Sequence, residues 1–173
     1  IFMFQNEYRQ QNKNSFFIAD LNIVDGYKSK KFNETNTLTH LFSKYQIDLD
    51  LNNFLESSLN FSFQKVNNDT YLKVFDSNIV NTDLKPDNFD TLTSEIDFNL
   101  ENEKFSLKAG FTSYENLSLQ NSDRYQYVLP YFDFSRVLFE DNNFASFNFI
   151  SQGDNILKDT NNLRSRIINE FDF

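Results

Sequence analysis

The sequence predicts an all-β fold: an antiparallel up-and-down transmembrane β-barrel segment of about nine strands, open in this chain and part of a larger barrel. Three observations predict it. Apolar and polar residues alternate with period two, as in Leu59, Phe61 and Phe63 against Ser58, Asn60 and Ser62. The alternating stretches are long, and the connections between them differ in length. An extended chain places alternate side chains on opposite faces.

Nine stretches carry this alternation, and several of them have ten or more residues. Soluble strands usually have about five or six residues, whereas a tilted membrane-spanning strand needs ~9 to 11. Strand length therefore favours a membrane barrel. The predicted strands are 1–10, 15–24, 38–51, 55–66, 91–101, 104–114, 125–137, 143–152 and 162–173.

The predicted connections alternate strictly between short and long. Such alternation is expected when the short turns lie on one side of a membrane and the long loops on the other. A soluble Greek-key sandwich has no reason to alternate so regularly. The short connections are 11–14, 52–54, 102–103 and 140–143, and the long ones are 25–37, 67–90, 115–124 and 153–161.

Each predicted strand has one apolar and one polar face. The apolar face is expected to contact lipid, since Leu55 to Phe63 spans about 26 Å, or about 20 Å at a tilt of ~40°. The polar face is expected to line a wet lumen. The apolar set comprises Phe17, Ala19, Leu21, Ile23, Tyr45, Ile47, Leu49, Leu51, Leu92, Ile96, Phe98, Leu100, Phe105, Leu107, Ala109 and Phe111. The polar set comprises Lys44, Gln46, Asp48, Asp50, Glu95, Asp97, Asn99, Lys104, Lys108, Arg164, Arg166, Glu170 and Asp172.

Composition excludes several classes of protein. The net charge of −9 argues against nucleic-acid binding, and the absence of cysteine excludes disulfides and thiolate metal sites within this chain. No apolar run approaches the ~18 residues of a transmembrane helix. The chain opens directly in a strand pattern, so we expect residues 1–173 to be an excerpt of a longer protein, one partial barrel domain truncated at both ends.

The alternative fold is a soluble antiparallel sandwich whose apolar faces, including Phe61, Phe98 and Phe111, meet in one core. Strand length and the alternating connections disfavour it. A bulge or bend is expected at Pro130, because proline removes a hydrogen bond from the ladder.

No catalytic, cofactor or metal residue is predicted. His40 is the only histidine, so a histidine metal cluster cannot form. The pairs Asp48/Asp50 and Glu95/Asp97 are interpreted as polar ladders, because residues two apart on a strand share a face.

The connection 67–90 is predicted to be a solvated loop. A loose attraction for divalent cations is a weaker hypothesis, since its aspartates lack the spacing and the glycine of an EF-hand. These aspartates are Asp69, Asp76, Asp83, Asp87 and Asp90.

Three stretches resemble the outer-membrane barrel of the LPS-assembly LptD (organic solvent tolerance) family: "NEYRQQNKNSFFIADLNI", "VNNDTYLKVF" and "DRYQYVLPYFDFS". The similarity lies in an acidic-Tyr-Arg strand, a following strand that contains Asp, an (S/N)D-x-(Y/F)-(L/F) motif and a later Leu-Pro element. The matching residues are Glu7, Tyr8, Arg9, Asp20, Asp69, Tyr71, Leu72, Leu129 and Pro130.

The resemblance implies a barrel of the Gram-negative outer membrane that inserts and assembles lipopolysaccharide without bond chemistry or cofactors. It also implies as partners lipopolysaccharide, the outer-membrane bilayer, a plug lipoprotein and the periplasmic LPS bridge proteins. The family's jelly-roll domain, closing strands and interdomain cysteines are not seen in this sequence. The alternatives are a passive porin or small adhesin-type barrel and, disfavoured by the single histidine, a membrane-barrel enzyme.

Overall fold

Nine strands hydrogen-bond in the order of the sequence and form one antiparallel sheet. The computed structural model describes residues 1–28, 35–75, 84–141, 145–158 and 162–173. A short helix, α1 (Tyr71–Phe75), precedes the fifth strand, and a 3-10 turn (Asn121–Arg124) precedes the seventh. The strands are β1 (Phe2–Gln11), β2 (Ser15–Lys28), β3 (Thr35–Asp48), β4 (Glu56–Val66), β5 (Thr91–Asn102), β6 (Phe105–Asn116), β7 (Tyr125–Asp141), β8 (Ala145–Lys158) and β9 (Asn162–Asp172).

The sheet confirms the predicted all-β, up-and-down antiparallel order. Within the described chain, β1 pairs only with β2 and β9 only with β8, so the sheet is open. All nine strands belong to this one sheet, and no second sheet among the described residues covers Phe61 or Phe111, which are 40% and 49% exposed. The described residues therefore do not form the two-sheet sandwich.

The predicted strict alternation of connection lengths is wrong. Six residues separate Lys28 from Thr35, while seven separate Asp48 from Glu56, and only three separate Lys158 from Asn162. β2 continues past the expected stop because Gly26 takes a φ of 76° beside a shift in the pairing register. The two long connections that remain, 67–90 and 117–124, lie at the same end of the sheet.

The sheet has two faces, and on each face the pairing of neighbouring strands aligns side chains in rows that cross the strands. Tyr45 pairs with Phe17 and Phe61, and the row continues through Ile96 to Phe111. We call this side the apolar face. The opposite side, the polar face, carries a parallel row of partners, namely Lys44, Ser62, Glu95 and Thr112.

The polar face is not polar throughout, contrary to the prediction. Its β2 and β3 part carries apolar side chains, among them Ile18, Val24 and Phe42, which are 5% exposed or less. They are buried because Tyr71, Leu72 and Leu84, from the described parts of the connection 67–90, pack on them and remove them from water. The buried apolar cluster comprises Ile18, Val24, Leu38, Phe42, Val66, Tyr71, Leu72, Leu84, Leu92 and Leu117.

The predicted irregularity at Pro130 is confirmed. Leu129 and Pro130 face the single residue Phe111 on β6 and the single residue Asn155 on β8, since the register shifts on both sides. This two-against-one geometry is a β-bulge. It leaves Leu129 exposed beside Phe111.

Among the described helices, none has the length and apolar character needed to cross a membrane.

Gly110 should be intolerant of a side chain. An added Cβ would come within 2.4 Å of the Ile96 carbonyl oxygen and 3.0 Å of Asp97 Cα, and neither backbone atom can rotate away. We expect Gly110→Ala to lower the free energy of unfolding by about 1–3 kcal/mol, measured by urea denaturation in detergent. Gly153→Ala is the matched control, because its Cβ would meet only the side chain of Phe132. Equal losses in the two variants would contradict this account.

Candidate functional site: the polar face and the connection packed on it

A hydrogen-bonded turn starts the helix in the connection 67–90. The Asn68 side-chain oxygen accepts from the Thr70 amide at 2.9 Å and from the Thr70 hydroxyl at 2.7 Å. This is the N-capping role for which asparagine is suited. Helix α1 then turns Tyr71 and Leu72 into the apolar cluster and leaves Lys73 and Val74 exposed. The cap fixes where helix α1 begins, and it therefore determines that Tyr71 and Leu72 are the side chains that face the sheet.

The Tyr71 hydroxyl enters a buried polar cluster formed by Asp20, Asn22, His40 and Tyr71. Asn22 Nδ2 donates to Tyr71 Oη at 2.8 Å, and His40 Nδ1 lies 2.8 Å from the same oxygen. His40 Nε2 lies 3.2 Å from Asp20 Oδ2. All four residues are 1% exposed or less, and the Phe42 ring stacks on the His40 ring at 4.3 Å. The cluster ties the connection to β2 and β3.

The cluster is too deeply buried to act on a substrate in this conformation. Burial raises the pKa of the Tyr71 hydroxyl to about 12, because ionisation would place a phenolate in an apolar environment. A catalytic group must come within hydrogen-bond reach of the reacting atom. The cluster therefore serves as a point of attachment for the connection.

Gln64 makes a second attachment, at the place where β4 and β5 separate. The pairing of these strands ends at Ser62 and Glu95. Beyond it, Gln64 Oε1 accepts from the Thr93 amide at 2.8 Å, and Gln64 Nε2 donates to the Leu84 carbonyl at 3.1 Å. One amide side chain thus replaces a ladder bond and also holds the end of the connection.

A charged cluster joins the two long connections to each other. Arg124 contacts Asp69 at 2.7 Å and Glu115 at 2.8 Å, and Glu115 also contacts Lys65 at 2.7 Å. Glu115 has 8% side-chain exposure and Arg124 has 18%, so solvent screens these pairs less than ordinary surface pairs. The segments before α1 and before β7 are therefore held together.

The aspartates of the connection do not form a cation site in the described residues. Asp69 is paired with Arg124, and Asp90 contacts Lys73 at 2.5 Å and the Ser118 hydroxyl at 2.7 Å. Asp76 and Asp83 lie outside the described residues. No group of three or more His, Cys, Asp or Glu side chains suited to a metal ion occurs in the described part of the chain. Within its described parts, 67–75 and 84–90, the connection buries Tyr71, Leu72 and Leu84 against the sheet, which corrects the prediction of a solvated loop at these positions.

The two carboxylate pairs noted in the sequence, Asp48/Asp50 and Glu95/Asp97, lie in different environments. β3 ends at Asp48, so Asp50 lies in the turn, where its amide donates to Asp48 Oδ1 at 3.0 Å. The predicted pair is therefore not on one strand face. Asp97 accepts from Asn60 at 3.0 Å and from Asn99 at 2.7 Å, and Glu95 accepts from a tyrosine hydroxyl, in keeping with the predicted polar ladder.

A groove of about 380 Å³ lies on the polar face between β5 and β9. The Tyr131 hydroxyl donates to Glu95 there, and Arg166 lies 3.6 Å from Asp154. Groups of both charges and an aromatic ring meet in this groove, which suits a hydrated, polar guest. The charged and aromatic lining residues are Glu95, Lys108, Tyr131, Asp133, Asp154 and Arg166.

The residues that carry the family resemblance lie at separate places in the fold, except for one pair that meets. Asp20 and Tyr71, from two different motifs, meet in the buried polar cluster. Glu7 and Arg9 form an ion pair on β1, and Leu129 and Pro130 form the bulge. The remaining matches are Tyr8 on β1, Asp69 in the charged cluster and Leu72 in the apolar cluster.

Sequence reasoning missed Asn22, His40, Gln64 and Arg124 as attachment points. A signal for the first two was present, because Leu38 and Phe42 flank His40, and Val24 follows Asn22, on the face predicted to be wet. Strands that are apolar on both faces are covered on both faces. No comparable signal marks Gln64 or Arg124.

Tyr71→Phe should weaken the attachment of the connection. The change keeps the ring and leaves Asn22 Nδ2 and His40 Nδ1 without their common partner. We expect a loss of about 1–3 kcal/mol in the free energy of unfolding. Tyr45→Phe, on the exposed apolar face, is the matched control and should be nearly neutral. Comparable losses in both variants would rule out the attachment role.

Alkaline pH should loosen the same attachment. The Tyr71 pKa rises from 10.0 to about 12 on folding, so the unfolded chain releases this proton first. The stabilisation is therefore complete below pH 10 and is lost as pH rises from about 10 to 12, by up to about 1.4 kcal/mol per pH unit. Denaturation of wild type and Tyr71→Phe across this range measures it. The variant should show a shallower slope, and identical slopes would contradict the assignment.

Comparison with known protein families, curated proteins and solved structures finds no match to this chain. The resemblance to the LPS-assembly family therefore rests on the residues quoted above.

Proposed function

We propose that this chain is part of an outer-membrane β-barrel that inserts and assembles lipopolysaccharide at the surface of a Gram-negative cell. The observation that carries the proposal is the exposed apolar face. Phe61, Ile96 and Phe111 are adjacent in the register and 40%, 41% and 49% exposed. Large contiguous apolar patches on a protein surface mark contact with lipid or with another protein.

Strand length supports lipid as the contact. The strands have ten to seventeen residues, which meets the ~9 to 11 needed to cross a bilayer at a tilt. Burying a phenylalanine side chain completely is worth about 1.5–3 kcal/mol, and in water the exposed parts of Phe61 and Phe111 forgo their share of that free energy. In hydrocarbon the same face incurs no such penalty, because lipid tails are as apolar as the side chains.

The polar face supports an amphipathic cargo. Lipopolysaccharide has sugars, which need water and hydrogen bonds, and acyl chains, which need hydrocarbon. The groove beside Tyr131 offers carboxylates, cations and an aromatic ring to the sugars, while the apolar face contacts the bilayer. The proposed activity shields a polar path and needs no bond chemistry or cofactor. The plug lipoprotein and the periplasmic bridge proteins are proposed as partners by resemblance.

The second candidate is a passive porin or small adhesin-type barrel. The observation in its favour is the cluster of aromatic rings on β8 and β9. Phe171 stacks on Phe147, and Phe173 contacts the same ring, as in the aromatic girdles of outer-membrane barrels. A porin would conduct ions in planar bilayers and would not bind lipopolysaccharide at the polar face.

Neighbouring positions 61 and 62 should report opposite environments. The chain contains no cysteine, so Phe61→Cys and Ser62→Cys can each carry one spin label. In bilayers, a label at 61 should be quenched by oxygen dissolved in lipid, and a label at 62 by a water-soluble nickel complex, because successive strand residues face opposite sides. A label at 61 that is shielded from lipid would refute the membrane proposal.

A photocrosslinker separates the two candidates. A benzophenone amino acid at position 62 or 133 in cells should capture lipopolysaccharide if the polar face guides its sugars, since both positions lie on that face. Position 111, on the apolar face, is the control and should capture membrane lipid without polysaccharide. Ion conductance without capture at 62 and 133 would select the porin.

A further inference from the structure

The side chain of Tyr131 lies across the polar face instead of standing upright on it. Tyr131 pairs with Gly110 on β6, and its hydroxyl reaches past that strand to donate to Glu95 on β5. The same hydroxyl oxygen would be 2.8 Å from a Cβ added at Gly110. The glycine therefore leaves room for the phenol ring, which lies along the floor of the groove between β5 and β9.

The polar groups in this groove are held by long contacts. Gln152 Nε2 is 3.4 Å from both carboxylate oxygens of Asp133. Arg166 Nε is 3.6 Å from Asp154 Oδ1, and the Arg166 side chain is 59% exposed. A well-formed N–H···O bond is about 2.9 Å long. These four side chains can therefore turn to a guest and lose little of their present bonding.

The groove combines an aromatic ring, hydrogen-bond acceptors and hydrogen-bond donors, which together suit a sugar. The face of a phenol ring is negative and attracts the C–H groups of a pyranose. Carboxylates accept hydrogen bonds from sugar hydroxyls, while Lys108, Gln152 and Arg166 donate to them. The volume of about 380 Å³ lies near the lower end of the range for small-molecule sites, about 300–1,000 Å³. Such a volume suits a short saccharide.

The charge of the groove disfavours anionic sugars. Its charged lining has the carboxylates of Glu95, Asp133 and Asp154 and the cations of Lys108 and Arg166, which leaves a net charge of −1. A phosphorylated or carboxylated sugar would bring a like charge close to three carboxylates, whereas a neutral sugar brings none. The groove therefore distinguishes between the neutral and the anionic parts of a glycan.

We propose that this groove binds neutral, unphosphorylated sugars, with Tyr131 as the stacking surface and Asp133 and Asp154 as acceptors for the sugar hydroxyls. The assignment rests on the proposed function in one respect, because it identifies the guest as the uncharged sugars of the lipopolysaccharide. The phosphate-bearing part of the same molecule would lie outside the groove.

Saturation-transfer NMR on the full chain, in micelles of a detergent without a sugar head group, tests the site with methyl glucoside as the probe. We expect wild type to bind the glucoside and Tyr131→Phe to retain this binding, because the ring remains. Tyr131→Leu should weaken it about tenfold. Tyr45→Leu, on the apolar face, is the matched control and should bind like wild type. Absence of binding to wild type, or equal binding by Tyr131→Leu, would overturn the proposal.

Asp133→Lys provides a gain of binding that a misfolded variant could not show. Asp133 is exposed, and the change shifts the net charge of the groove from −1 to +1. Wild type should prefer methyl glucoside to the same sugar carrying a phosphate group. The variant should bind the phosphorylated sugar about tenfold more tightly than wild type does, and high salt should reduce that gain. A wild type that prefers the phosphorylated sugar, or an unchanged preference in Asp133→Lys, would contradict the site.

The spin label at position 61 separates this proposal from the proposed function. A label in contact with lipid, together with no binding of methyl glucoside, would overturn the sugar site and leave the membrane proposal intact. A label shielded from lipid, together with binding of the glucoside that depends on Tyr131, would refute the membrane proposal and support the sugar site.

Discussion

The backbone pairing between neighbouring strands is the constraint on which the other features depend. Because side chains alternate along a strand, a slip of one residue between two strands would exchange their faces. The pairing of Tyr45 with both Phe17 and Phe61 keeps three strands in phase. The apolar face, the polar groove and the buried polar cluster all follow from that shared phase.

The connection 67–90 gives the two halves of the polar face different properties. Over β2 and β3 it covers Val24, Phe42 and His40, so this half is dry and its polar groups interact in a low dielectric. Between β5 and β9 the groove stays open, and its charged groups remain in contact with water. The polar face of the sheet thus has a buried part and a part that is accessible to a guest.

Much of the fold could be predicted from the sequence because alternation is a local signal. The nine strands lie close to their expected places, and the bulge at Pro130 follows from the missing amide proton. The ends of β2 and β8 could not be predicted, since polar residues there continue the backbone ladder without an apolar pattern. The attachment of Tyr71 to Asn22 and His40 joins residues 49 and 31 positions apart, and no local pattern encodes it.

The polar attachment explains why the connection has one position on the sheet. Apolar contacts such as those of Leu72 and Leu84 are non-directional, and they would tolerate a helix that slides or rotates. The Tyr71 hydroxyl meets two side chains at 2.8 Å, and any shift would leave buried polar atoms unpaired. Gln64 and Arg124 add directional contacts on either side of α1. Apolar burial therefore supplies the attraction between the connection and the sheet. The polar contacts select one position for the connection, and that position determines where the covered half of the polar face ends and the open groove begins.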